Sequence, residues 1–79
     1  MPVIHIATWP IKDQDRVHAL VDSVTRAVHD TLGVPLYKIS VYLTEVPPSR
    51  WSDAGVLGSD PEFREKSRRA SYAPEQDKP

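Results

Sequence analysis

One amphipathic stretch lies between two short apolar runs, and nothing later in the chain matches either pattern. Residues 14–32 place Val17, Leu20, Val21, Val24, Ala27, Val28 and Leu32 at the three-and-four spacing of a single helical stripe. Asp13 stands where a carboxylate can accept from the free N–H groups of the first turn, and Asp15 has the sign the helix dipole favours there. Gly33 stands where a C-terminal residue turns left-handed, and Pro35 blocks continuation. His18, Asp22, Arg26 and His29 fall off the stripe and read as solvated.

Residues 2–9 read as a strand, with Ile4, Ile6 and Thr8 on one face and Val3, His5 and Ala7 on the other. Pro10 ends it, because it lacks the N–H a ladder needs. Residues 37–46 alternate in the same way, with Ile39, Val41 and Leu43 opposite Lys38, Ser40, Tyr42 and Thr44, until Pro47-Pro48. Strand, helix and strand form a β-α-β unit of class α/β (α+β), with parallel strands, a right-handed crossover and the one long helix packed on the sheet. One helix covers one sheet face. Val3, Ala7 and Tyr42 on the other face would meet water in a single copy, so a homo-oligomer is expected.

A chain of 79 residues holds one domain and should bury only about 60% of the surface its unfolded form exposes. Small domains of this kind usually need a disulfide, a metal or a partner subunit. Cysteine is absent, and His5, His18 and His29 share no metal-ligand spacing, so no metal site is expected and association is the remaining device. Ten basic against eleven acidic residues argue against nucleic-acid binding. The run Arg64–Arg69 is interleaved with acidic residues and reads as a solvated helix. No apolar run approaches the roughly 18 residues that span a bilayer. The opening Met-Pro-Val-Ile-His has neither the basic start nor the apolar core of an export signal, and a cytoplasmic location is expected.

After Pro48 the pattern weakens. Asp60-Pro61-Glu62 reads as a helix start, followed by the i, i+4 pairs Glu62–Lys66 and Glu65–Arg69. The single domain is expected to span 1–72, with 73–79 a disordered tail.

Chemistry is suggested by Pro2. Removal of Met1 would leave a secondary amine at the head of a strand, with its ring fixing φ. An α-amino group titrates near about 7.7–8.0, and apolar surroundings lower that value. Such an amine suits a general base that then acts as a general acid.

Residues 2–51 resemble the tautomerase superfamily, in its short 4-oxalocrotonate tautomerase group. The resemblance rests on Met-Pro before an apolar strand, an amphipathic helix, Leu-Gly-Val-Pro at 32–35, Ile-Ser-Val-Tyr-Leu at 39–43, and Thr-Glu-Val-Pro-Pro-Ser-Arg-Trp at 44–51. The stretch Lys66-Ser67-Arg68-Arg69-Ala70-Ser71-Tyr72 is more like the dimeric phenylpyruvate-type members. The resemblance implies a dimer with a four-stranded sheet as building block, a hexamer in some members, and a pocket partly built by a neighbouring subunit. It also implies cofactor-independent proton transfer on an enol of a small 2-oxo acid, with Pro2 as the acid and base.

Carried over position by position, Trp51 falls at the family's aromatic wall, usually phenylalanine. Lys12 falls where the family has an arginine that binds carboxylate, and it keeps the charge without the bidentate fork. Ser40 falls where a second arginine stands, and the charge is gone. A monocarboxylate or aryl substrate is therefore expected, with Ser40 as a hydrogen-bond donor. Arg50, Lys38, Arg68 and Arg69 are the cations that could replace the missing one, and Arg50 joins Lys12 in the expected carboxylate site. The glycine-rich hairpin that hexameric members carry after the aromatic wall is not expected, because 52–58 hold only Gly55 and Gly58. Two other readings remain open. One is a hydratase-type dehalogenase or decarboxylase of a three-carbon acid, using a cationic Pro2. The other is a non-catalytic oligomeric binding protein.

Overall fold

The computed structural model describes residues 1–73. The tail expected at 73–79 lies outside the described residues from 74 on. The chain forms two compact units, Met1–Val46 and a second beginning at Pro47.

The first unit is the expected β-α-β. Strand β1 spans Val3–Thr8, helix α1 spans Gln14–Leu32 and strand β2 spans Ser40–Glu45. The two strands pair in parallel, from Val3 with Ser40 to Thr8 with Glu45. The Val46 N–H donates to the Thr8 carbonyl at 2.8 Å and adds one rung beyond β2.

Helix α1 begins and ends where its chemistry predicts. The Asp13 carboxylate accepts from the Asp15 N–H at 2.9 Å, a cap worth about 1 kcal/mol. Gly33 has φ 71°, and its N–H donates to the His29 carbonyl. Val17, Leu20, Val21, Val24 and Val28 are half-buried, and α1 packs against β2. Ala27 and Leu32, both read as stripe residues, are exposed. His29 departs from its reading as a solvated residue. It is half-buried, with Nδ1 2.7 Å from the Val34 carbonyl, because one more turn of backbone brings that carbonyl back to the helix end.

The strand expected over 37–46 is shorter at its start. Leu36–Lys38 form a 3₁₀ turn, with the Lys38 N–H donating to the Pro35 carbonyl at 3.0 Å. The alternation at 37–39 matched a strand, but the fixed φ of Pro35 starts a turn instead.

Burial along both strands alternates as expected. Ile4, Ile6, Thr8, Val41 and Leu43 are half-buried, while Val3, His5, Ala7, Ser40, Tyr42 and Thr44 are exposed. Val3 keeps 62% of its surface exposed and Tyr42 keeps 52%. Across that open face the His5 ring stacks on the paired Tyr42 at 4.6 Å, and His5 Nε2 lies 2.7 Å from Thr44 Oγ1. His5 is thus hydrogen-bonded on a face that its own unit leaves uncovered.

The second unit contains a hairpin, against expectation. Strands β3, Ser52–Asp53, and β4, Val56–Leu57, pair antiparallel. Ala54 at φ 54° and Gly55 at φ 78° make the two-residue turn between them, both left-handed, as a type I′ turn requires. The Gly58 N–H donates to the Trp51 carbonyl at 2.8 Å and adds the next rung. One left-handed alanine beside one glycine suffices for the turn, which is why two glycines in this segment did not announce it. Val56 on β4 is the one buried hydrophobic among the described residues.

Arg69 fastens the turn from outside. Its Nε and Nη2 donate to the Ala54 carbonyl at 3.0 and 2.6 Å, and its guanidinium lies over the Tyr72 ring at 4.1 Å. It therefore does not make the expected pair with Glu65. Helix α2, Phe63–Lys66, is one turn. Its start is shaped by Asp60, whose carboxylate accepts from the Glu62 N–H at 2.8 Å and pairs with Lys66 at 3.3 Å. The Glu62 N–H, and then the Lys66 ammonium, hold the Asp60 carboxyl below its ordinary range. Asp60 in turn holds Lys66 above its own.

A Cβ at Gly55 would collide with the Tyr72 hydroxyl and press on the Arg69 guanidinium, and φ there is left-handed. Gly55→Ala should weaken the hairpin by about 1 kcal/mol, roughly a fivefold faster amide exchange at Gly58. Unchanged exchange at Gly58 would show that the turn tolerates the side chain.

Candidate active site

Pro2 stands half-buried at the head of β1. Its carbonyl accepts from the Ser40 N–H at 3.1 Å, which places Pro2 beside the first residue of β2. The contact is backbone to backbone, so the Ser40 hydroxyl is not needed to hold Pro2. Met1 precedes it with 84% of its surface exposed. The first unit thus brings two of the expected residues together.

Lys12 lies at the other end. It follows β1 in the loop to α1, is exposed, and makes no ion pair among the described residues. Six strand residues separate the two positions, roughly 20 Å at the rise of a parallel strand. The loop cannot fold back along the strand, because the Ile11 N–H donates to the Glu45 carboxylate at 2.6 Å, beyond the last paired residues. Within one chain, then, Lys12 and Pro2 stand apart. No role for Glu45 was read from the sequence. Its one signal there is indirect: Pro10 removes an N–H from the strand end, and a nearby acceptor must serve the next one.

The remaining residues belong to the second unit. Arg50 closes the 3₁₀ turn Pro48–Arg50 through its N–H to the Pro47 carbonyl at 2.8 Å, and its side chain is exposed without an ion pair among the described residues. Trp51 follows, half-buried, with its N–H on the Pro48 carbonyl and its carbonyl on the Gly58 N–H. The prolines at 47 and 48 fix φ at the start of this turn. Of the alternative cations, Arg69 is engaged by the Ala54 carbonyl, whereas Lys38 and Arg68 are exposed and unpaired among the described residues.

No cluster of three or more His, Asp or Glu side chains among the described residues is placed to hold a metal ion. No helix among them is long and apolar enough to cross a membrane.

The family model described as Tautomerase enzyme matches residues 2–60, beginning on Pro2 and ending before α2. A protein named Probable tautomerase in Lactiplantibacillus plantarum is 40% identical over 62 residues, which are 78% of this chain and 97% of that one. The 2-hydroxymuconate tautomerase of Comamonas testosteroni is 30% identical over 60 residues, 76% of this chain and 95% of that one. A heterohexameric 4-oxalocrotonate tautomerase from Chloroflexus aurantiacus J-10-fl has the same fold. It matches at a TM-score of 0.72 over 76% of this chain and 97% of its own, at 22% identity.

Proposed function

Because the chain belongs to the tautomerase family, as an enzyme of its 4-oxalocrotonate tautomerase-like group, we propose that it converts the enol of a small monocarboxylic 2-oxo acid to its keto form, with Pro2 moving the proton. The observation that carries this reading is the place of Pro2. It is the residue on which the family match begins, and it is half-buried with its backbone held by Ser40.

With Met1 removed, the Pro2 nitrogen is a neutral secondary amine in apolar surroundings. It takes the proton from the enol hydroxyl as the carbonyl forms, and becomes an ammonium. It then gives a proton to the neighbouring carbon, which returns the amine and completes the ketone. The Lys12 ammonium and the Arg50 guanidinium bind the carboxylate. The Ser40 hydroxyl donates to the oxygen on which charge develops, in the manner of an oxyanion site. Trp51 excludes water, which keeps the amine neutral. No organic cofactor or metal is needed for this sequence of proton transfers.

Such a site joins residues that one chain keeps about 20 Å apart, Pro2 and Lys12. The proposal therefore includes a homo-oligomer in which one copy lends its Lys12 loop to the Pro2 of another. The open β1–β2 face, with Val3 and Tyr42 exposed, supports association.

The test is ketonisation of phenylenolpyruvate followed by its ultraviolet absorbance. Protein whose first residue is Pro2 should accelerate the reaction, and protein with one extra residue ahead of Pro2 should not. Equal rates from the two forms would remove the Pro2 amine from the mechanism. A clear preference for 2-hydroxymuconate, a dicarboxylate, would reject the monocarboxylate reading of Ser40.

A further inference from the structure

We infer that Glu45 is a positioning residue for substrate binding, acting through the β1–α1 loop that carries Lys12. The inference rests on the reading of Lys12 as a carboxylate ligand and adds to it.

The observation is a missing rung. The ladder between β1 and β2 runs to Thr8 and Glu45, and the Val46 N–H still reaches the Thr8 carbonyl. Two residues on, Pro10 has no N–H to offer. The next donor is Ile11, and no backbone acceptor among the described residues takes it. The Glu45 side chain does, with an oxygen 2.6 Å from the Ile11 nitrogen across 34 residues of sequence. A charged acceptor makes this the stronger kind of hydrogen bond. The carboxylate thus replaces the ladder beyond the proline and sets the direction in which the chain leaves the strand.

Lys12 is the next residue. On its far side Asp13 caps α1 through the Asp15 N–H. The Lys12 backbone is therefore held between two carboxylate contacts, one on each neighbour, while its ammonium stays unpaired among the described residues. Neither Asp13 nor Glu45 forms an ion pair with it. Asp13 pairs weakly with Arg16 at 3.9 Å. An unpaired cation on a pinned backbone is what a carboxylate site needs, because less freedom is lost when substrate binds. Glu45 acts here by geometry, not by its charge on the substrate.

Two conservative variants separate those roles. Glu45→Gln keeps the length and an acceptor oxygen but loses the charge. Glu45→Asp keeps the charge but is one methylene too short to reach Ile11. Steady-state ketonisation of phenylenolpyruvate is measured for both, alone and combined with Lys12→Ala. The expected result is a KM for Glu45→Gln within about threefold of the parent, and a KM for Glu45→Asp raised about tenfold with a smaller change in kcat, the loss anticipated for one charge-assisted hydrogen bond. In the Lys12→Ala background the Glu45→Asp effect should vanish, since the two act as one unit. A raised KM in Glu45→Gln with a normal one in Glu45→Asp would overturn the inference in favour of charge. Persistence of the Glu45→Asp effect without Lys12, or no effect of Glu45→Asp while Lys12→Ala raises KM, would overturn it as well. If Lys12→Ala alone leaves KM unchanged, the carboxylate role of Lys12 fails, and this inference with it.

Discussion

Pro2→Ala is expected to lower kcat/KM for phenylenolpyruvate ketonisation by roughly a hundredfold or more, the size of a general acid–base contribution. The variant is informative because it changes little else. The contact that fixes residue 2 runs from the Ser40 N–H to the residue 2 carbonyl, and alanine keeps it. Alanine also permits removal of Met1, so an N-terminal amine remains. What disappears is the ring that holds φ and makes the amine secondary. A deficit in rate with unchanged thermal unfolding would therefore belong to the amine itself. If Pro2→Ala and the parent are equally active, another group moves the proton. If the parent is inactive on every enol tried, titration of the Pro2 amine by nitrogen NMR separates two chemistries. A value well below about 7 fits proton transfer on enols, and one near about 9 fits a cationic acid that works on three-carbon acids instead.

The β-α-β unit was legible because several local signals agree on it. The stripe on α1, the Asp13 cap and the left-handed Gly33 each mark the same helix from a different side. The strands were legible through alternation, and the burial of Ile4, Ile6, Val41 and Leu43 follows it. Alternation failed at Tyr37 and Lys38, where Pro35 starts a 3₁₀ turn whose three-residue period a run this short does not reveal. The hairpin was not legible, because two-residue strands carry no period and the turn uses Ala54 in a conformation that alanine seldom adopts. His29 was misplaced for a related reason. Its position on the polar side of α1 is visible in the sequence, but the return of the Val34 carbonyl to the helix end is not.

The site divides in the same way. Pro2, Lys12, Ser40, Arg50 and Trp51 were picked out by residue type and by resemblance; Ser40 lies in the expected strand, and Pro2 immediately ahead of its own. The spacing between Pro2 and Lys12 follows from the strand they flank and could have been drawn from the sequence. The role given to Glu45 could not, because its partner is a backbone N–H 34 residues away, exposed as an acceptor's target only by the proline before it.

Co-expression of Pro2→Ala with Lys12→Ala should give activity well above the residual activity of either variant alone. One strand of six residues keeps the two positions at opposite ends of β1, and the Ile11–Glu45 bond holds the loop there. A site that uses both must take Pro2 from one copy and Lys12 from another. In a mixed assembly, a copy carrying Lys12→Ala still offers Pro2, and a copy carrying Pro2→Ala still offers Lys12. Random pairing of equal amounts makes both contributors intact in about a quarter of the sites, because each site draws on two different copies. The measurement uses two affinity tags, one on each variant, so that only mixed assemblies are purified from cells making both. Their kcat per chain should exceed the mean of the two parent variants at least several-fold and approach about half of the unsubstituted protein in a mixed dimer, where one of the two sites is intact, or about a quarter in a larger assembly. A site contained in one chain gives the opposite result, since every copy in the mixture carries one broken residue and no arrangement repairs it. Activity no higher than the mean of the parents would therefore remove Lys12 from the site and leave Pro2 to work with other cations of its own chain, such as Lys38, two residues ahead of Ser40.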